Sequence, residues 1–223
     1  MLSRQQEGDC LDEYPEFASL LFELLEPSAS RELRSKALET IAYICSSPAK
    51  KLSTFNRSGV VDRVMSAVRD LCNRGEAEGY EILAQLLEFH PEGEQQELEM
   101  ELNKKLLRFC DADYVSKLGD RIKQPFEALA KAAYMVIFQL ASQSWALAEF
   151  SRCPGFMEAL LDARVHSGSE TLAQRKAILK LILNQNETRN LFNENILKRT
   201  VEYLDSGIGG GGNIESRVAM DTS

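Results

Sequence analysis

"VIFQLASQSWALAEF", residues 136–150, has two ungapped echoes in the same chain: "IAYICSSPAKKLSTF" at 41–55 and "ILKLILNQNETRNLF" at 178–192. Each copy opens on an apolar helical end, passes through Ser47, Ser142 or Asn184, and closes on Phe55, Phe150 or Phe192. Beyond the phenylalanine, apolar pairs stand four apart: Val60-Val61 with Val64-Met65, Phe156-Met157 with Leu160-Leu161, and Ile196-Leu197 with Thr200-Val201. That spacing is the stripe of an amphipathic helix. The phenylalanines lie 95 and 42 residues apart, so two units and then one, each of about 42–47 residues. This is the armadillo/HEAT period, and it predicts an all-α, armadillo/HEAT-like right-handed superhelix of about four repeats and roughly ten helices.

Within a unit, the pattern gives a long helix ending at Ser or Asn, a short helix carrying the phenylalanine, a turn, and a third helix. Gly59 in "RSGVV" and Gly155 in "CPGFM" fall in that turn, and Asn195 takes the place in the last copy. The lone tryptophan, Trp145, then belongs to a short helix and packs between adjacent repeats, and Cys153-Pro154-Gly155 is a repeat corner. One copy is degraded. "EAEGYEILAQLLEF" (76–89) reads as its long helix, but "HPEGEQQELEMEL" (90–102) replaces the short one with a run of glutamates, read as a solvated helix face or loop.

Upstream, "YPEFASLLFELLEP" (14–27) is a helix bounded by Pro15 and Pro27, and serines in "SASRELRSK" cap the next. Three segments follow: a flexible N-terminus over 1–11, the repeat domain over 12–205, and a glycine-rich disordered tail over 206–223.

Composition narrows the function. A net charge of −8 argues against nucleic acid and anionic membranes as partners. No apolar run is long enough to span a bilayer, and the first ten residues lack a signal peptide's apolar segment, so a cytoplasmic protein, with the nucleus also open, is expected. The five cysteines are scattered and odd in number, neither a disulfide framework nor a zinc knuckle, and read as structural. Gly207 to Gly212 satisfies G-x-G-x-x-G in form but follows a helix instead of a strand, so it marks no nucleotide site. His90 and His166 form no metal set and no catalytic grouping. No enzyme activity, cofactor, metal or small-molecule substrate is expected.

A stacked helical array works through the long face it exposes. Counting from Ile41, Val136 and Ile178, the positions two before and two after share one helix face. They are Glu39 and Tyr43, Tyr134 and Phe138, and Lys176 and Lys180, with Glu81 and Gln85 in the degraded copy. These are the candidate partner-binding residues. The alternative for Tyr134 and Phe138 is core, because "AAYMVIFQLA" is apolar all round.

The segment "QPFEALAKAAYMVIFQLASQSWALAEFSRCPGFMEALLDAR" (124–164) resembles the C-terminal part of the 26S proteasome non-ATPase regulatory subunit 5 family. The resemblance is carried by Pro125 to Ala133, by Ala141 to Ala146 with its Trp145, and by the Pro154-Gly155-Phe156 turn. "YPEF" and "TIAYICSSPAKKL" fit the family's middle region in the same order, so the likeness covers residues 12–205. It implies a non-catalytic assembly chaperone that binds the C-terminal domain of an AAA ATPase subunit of the proteasome base. Members of that family are considerably longer, which places this chain on their C-terminal half. A generic armadillo/HEAT adaptor is the competing class. A nuclear import receptor would need Trp and Asn in the slots held here by Glu39/Tyr43, Tyr134/Phe138 and Lys176/Lys180.

Overall fold

Prolines and small caps punctuate the chain into helices. In a computed structural model that describes residues 10–162 and 168–206, α1 (Cys10–Glu13) leads into α2 (Pro15–Glu23), with proline in its first turn, where no amide hydrogen is needed. Ser30 caps α3 (Arg31–Ile44), its hydroxyl accepting from the Leu33 amide at 3.3 Å. α4 (Pro48–Asn56) again starts on proline, and α5 (Val60–Asn73) follows. Then come α6 (Ala77–Leu86), α7 (Gln96–Cys110), α8 (Tyr114–Arg121) and α9 (Glu127–Ala141). α10 (Ser144–Arg152), α11 (Phe156–Leu161), α12 (Ser169–Asn184), α13 (Thr188–Leu191) and α14 (Glu194–Asp205) complete the described residues. No strand occurs among them.

After α1 and α2, the helices form four units of long, short and third helix: α3–α5, α6–α8, α9–α11 and α12–α14. The long helices stack in series, α3 on α6, α6 on α9 and α9 on α12. Short helices meet across units as α4 with α7 and α10 with α13, and third helices as α8 with α11 and α11 with α14. Each unit touches its neighbours along one axis, as a solenoid requires. Gly79 of α6 marks a close approach across the boundary between the first two units. A Cβ there would lie 2.7 Å from Leu71 Cβ and 2.8 Å from the Cys72 amide nitrogen of α5, so only glycine lets these helices pack.

The corner glycines behave as the repeat demands. Gly59 and Gly155 precede α5 and α11 with φ of 73° and 78°, a left-handed conformation in which a Cβ is strained. The last copy differs from expectation. Asn193 precedes α14 with extended backbone and caps it through its side chain, accepting from the Ile196 amide at 2.9 Å, so Asn195 lies inside the helix and forms no corner. The count of roughly ten helices is also corrected to fourteen among the described residues, of which α1 is a single turn outside any repeat.

The degraded copy is not simply solvated. Its replacement for the short helix is α7, 15 residues against the 9 of α4 and α10. Glu99 of α7 is fully buried, contrary to the reading of the glutamate run as solvated. Its Oε1 lies 3.2 Å from Lys51 Nζ of α4, and both side chains are 1% exposed. The His90 amide donates to Glu99 Oε2 at 3.0 Å, His90 Nδ1 lies 3.2 Å from Oε1, and Lys51 Nζ also donates to the Glu88 carbonyl at 2.6 Å. A buried carboxylate is tolerated only when so paired.

Most of the N-terminal segment, all of the tail beyond Ser206, and His166 lie outside the described residues. No described helix is long and apolar enough to cross a membrane.

Candidate functional site

Each of the four units contributes a long helix to the stack, and the counted positions on those helices differ in exposure and chemistry. On α3, Tyr43 is 80% exposed, while the Glu39 carboxylate is held by Lys36 one turn earlier at 2.6 and 2.9 Å. On α6, Glu81 and Gln85 are exposed. On α9, Phe138 is 39% exposed and Met135, one turn before it, is 36% exposed. On α12, Lys180 is exposed and Lys176 is half-buried, its ammonium donating to the Ser206 carbonyl at 3.0 Å. The face is thus aromatic and acidic at α3, acidic and amide-bearing at α6, apolar at α9 and basic at α12.

Tyr134 does not belong to it. Its side chain is fully buried, which corrects its place among the partner-binding candidates. The cause is Arg175 of α12, itself fully buried. Its Nε and Nη2 donate to the Tyr134 hydroxyl at 3.2 and 2.8 Å, and its guanidinium lies 5.6 Å from the centroid of the Tyr134 ring. Nη1 donates to the Asp162 carbonyl at 2.8 Å and to the Tyr203 hydroxyl at 3.2 Å. Burial raises the pKa of the Tyr134 hydroxyl, with the Arg175 charge opposing, so at neutral pH the phenol stays protonated. A side chain enclosed this way can hold the array together but cannot touch a partner. Sequence counting missed Met135, which the helix turns outward one turn from Phe138.

The structural signature residues lie in α10, α11 and the turn between them, within the third unit. Phe156 is buried and stacks on Phe150, ring centroids 4.5 Å apart at 28°. Trp145 is half-buried against the core. Its indole donates to Gln143 Oε1 at 3.2 Å, which also accepts from Asn103 Nδ2 of α7 at 3.2 Å, so Gln143, the residue before α10, bridges the tryptophan to the preceding unit. Among the described residues, no cluster of three His, Cys, Asp or Glu side chains could hold a metal ion.

The sequence model of the family described as Proteasome non-ATPase 26S subunit matches residues 1–208. The chain belongs to that family. No curated protein matches the sequence. Among solved structures, this proteasome-subunit family member resembles a designed armadillo repeat protein with a TM-score of 0.53 at 15% identity, over 89% of this chain and 86% of the other. It also resembles an engineered protein with a TM-score of 0.55 at 16% identity, over 82% of this chain and 68% of that one. These likenesses concern the fold, and the fold they give is the armadillo-like all-α solenoid that the repeat period predicted.

Proposed function

We propose that the chain is a non-catalytic chaperone for assembly of the 26S proteasome regulatory-particle base, and that it binds the C-terminal domain of a base AAA ATPase subunit. Membership of the non-ATPase 26S subunit family over residues 1–208 carries this reading. The exposed face of α3, α6, α9 and α12 supplies a surface suited to it. Tyr43 and Phe138 are the anchors, since aromatic side chains give large contact area for little lost rotamer entropy. Met135 extends the apolar centre. Glu39 and Lys180 lie toward opposite ends and favour a partner with the opposite charge gradient, acting more on association rate and salt sensitivity than on affinity. Lys176 contributes less, being engaged with Ser206.

The test is a titration of the isolated ATPase C-terminal domain against wild type and the Tyr43→Ala and Phe138→Ala variants, each first shown to be folded. A loss of about 2 kcal/mol, roughly 30-fold in Kd, is expected for each. Wild-type binding with both variants unimpaired would remove the face from consideration. Affinity purification from native cytosol that returns no base ATPase would favour a general adaptor.

A further inference from the structure

A groove of about 230 Å³ opens where α5, α6, α7 and α8 meet. The long α7 ends beside it. Cys72, in the last turn of α5, and Cys110, the last residue of α7, both line this groove on helices that pack against each other, and each thiol shifts the other's ionisation. Arg69, Lys117 and Arg121 line it too. The Lys117 ammonium is paired with the Asp111 carboxylate, Arg121 Nε donates to the Tyr80 hydroxyl at 3.0 Å, and the Arg69 guanidinium stands 6.0 Å over the Phe109 ring. Asp120 is the remaining acid, with Lys123 Nζ 3.7 Å away. Three cations against two carboxylates leave the thiols in a locally positive setting.

We infer that Cys72 and Cys110 are a modification site, a thiol pair that a hydroperoxide entering this groove converts to a reversible disulfide joining α5 to α7. A thiolate is the nucleophile in such chemistry, and nearby cations favour it. Cys110 is the attacking residue. The Cys72 thiol lowers its pKa, burial and Asp111 oppose this, and Arg69 and Lys117 assist. The Cys110 thiolate attacks one peroxide oxygen and the O–O bond breaks. The leaving oxygen takes up the proton that the thiol released, departing as water or an alcohol, and Cys110 becomes a sulfenic acid. The Cys72 sulfur then attacks the Cys110 sulfur and the S–O bond breaks. The departing hydroxide takes the Cys72 proton and leaves as a second water. Two thiols are oxidised to one disulfide and one peroxide is reduced.

The other cysteines are placed differently. Cys45 is buried away from the groove, and Cys153 is half-buried at its corner, where burial raises its thiol pKa. A Cys72–Cys110 bond would enclose all of α6, the helix that carries Glu81 and Gln85 on the exposed face, and so would fix that helix between two covalently joined neighbours.

The wild-type protein, folded and reduced, is treated with hydrogen peroxide, alkylated, digested with trypsin and mapped by mass spectrometry. The expected product is the Asp70–Arg74 peptide linked to Phe109–Lys117, absent before oxidation and returned to free thiols by dithiothreitol. In a Cys72→Ser variant the link is lost and a sulfenic acid accumulates on Cys110, trapped by dimedone. The inference is overturned if both peptides stay alkylatable while Cys153 oxidises. It is equally overturned if Cys72 or Cys110 pairs with another cysteine, or if the link forms only in denaturant. The wild-type map decides the matter even if the serine variant fails to fold.

Discussion

Glu99→Gln removes the negative member of the buried pair between α7 and α4 while keeping its size. Lys51 is 1% exposed and its ammonium has two acceptors, Glu99 Oε1 at 3.2 Å and the Glu88 carbonyl at 2.6 Å. The variant leaves it the neutral carbonyl and an amide, neither able to balance a desolvated charge. Breaking a buried pair by removing one partner costs about 3–5 kcal/mol, which is a large part of the stability of a domain this size. Replacing both members, as Lys51→Met with Glu99→Leu, removes the stranded charge, so the double variant should recover most of the loss despite the His90 amide then lacking its acceptor. Burial already lowers the Lys51 pKa, with the Glu99 charge opposing. Without Glu99 the depression deepens. A lysine with a depressed folded pKa is penalised by folding while protonated, and the penalty fades as pH rises from that folded value toward 10.5. The gap in stability between wild type and Glu99→Gln should therefore narrow with rising pH. Urea unfolding at several pH values measures it. A single-variant loss below about 1 kcal/mol, or a gap independent of pH, would refute the buried-charge argument.

Gly155→Ala should cost about 1–2 kcal/mol from backbone strain alone, since a Cβ at that position meets no atom within 4 Å; denaturant midpoints check it, and Gly59→Ala should behave alike. Tyr134→Phe should cost about 1–3 kcal/mol by depriving Arg175 of an acceptor, with no effect on partner affinity in the folded variant, as titration would show. Trp145→Ala should cost less than the roughly 3–5 kcal/mol of a fully buried tryptophan, because the residue is only partly buried, and thermal unfolding would register it.

The architecture was legible because its cause is periodic. Apolar residues four apart, a phenylalanine at fixed phase and a glycine at the corner are local signals, and each repeats. What escaped the sequence was pairwise and long-range. Arg175 stands one residue before the counted slot of Lys176 and finds Tyr134 41 residues away on another unit. Nothing in "ETLAQRKAILK" distinguishes it from a solvated arginine. Glu99 is likewise one glutamate in an acidic run, and only the approach of α4 to α7, 48 residues apart at Lys51, singles it out. The exposure of the counted residues followed the sequence unevenly. Tyr43 and Lys180 emerged where helix geometry put them, whereas Tyr134 turned inward and Met135 outward, because α9 is apolar on nearly every side and its register alone does not say which stripe meets the core.

The Arg175 cluster bears on how the end of the array opens. Among the described residues the unit α12–α14 has a single neighbouring unit, and in a linear array amide exchange ordinarily runs fastest in such a unit as its helices peel away. Here one guanidinium is bonded to α9 through Tyr134, to α14 through Tyr203 and to the residue that follows α11 through Asp162. Detaching α14 strips a buried cation of an acceptor, so the cheapest opening is larger than one helix. The amides of α12 and α14 should exchange as a single cooperative block with those of α9, and the C-terminal end of the solenoid should melt as a unit instead of fraying.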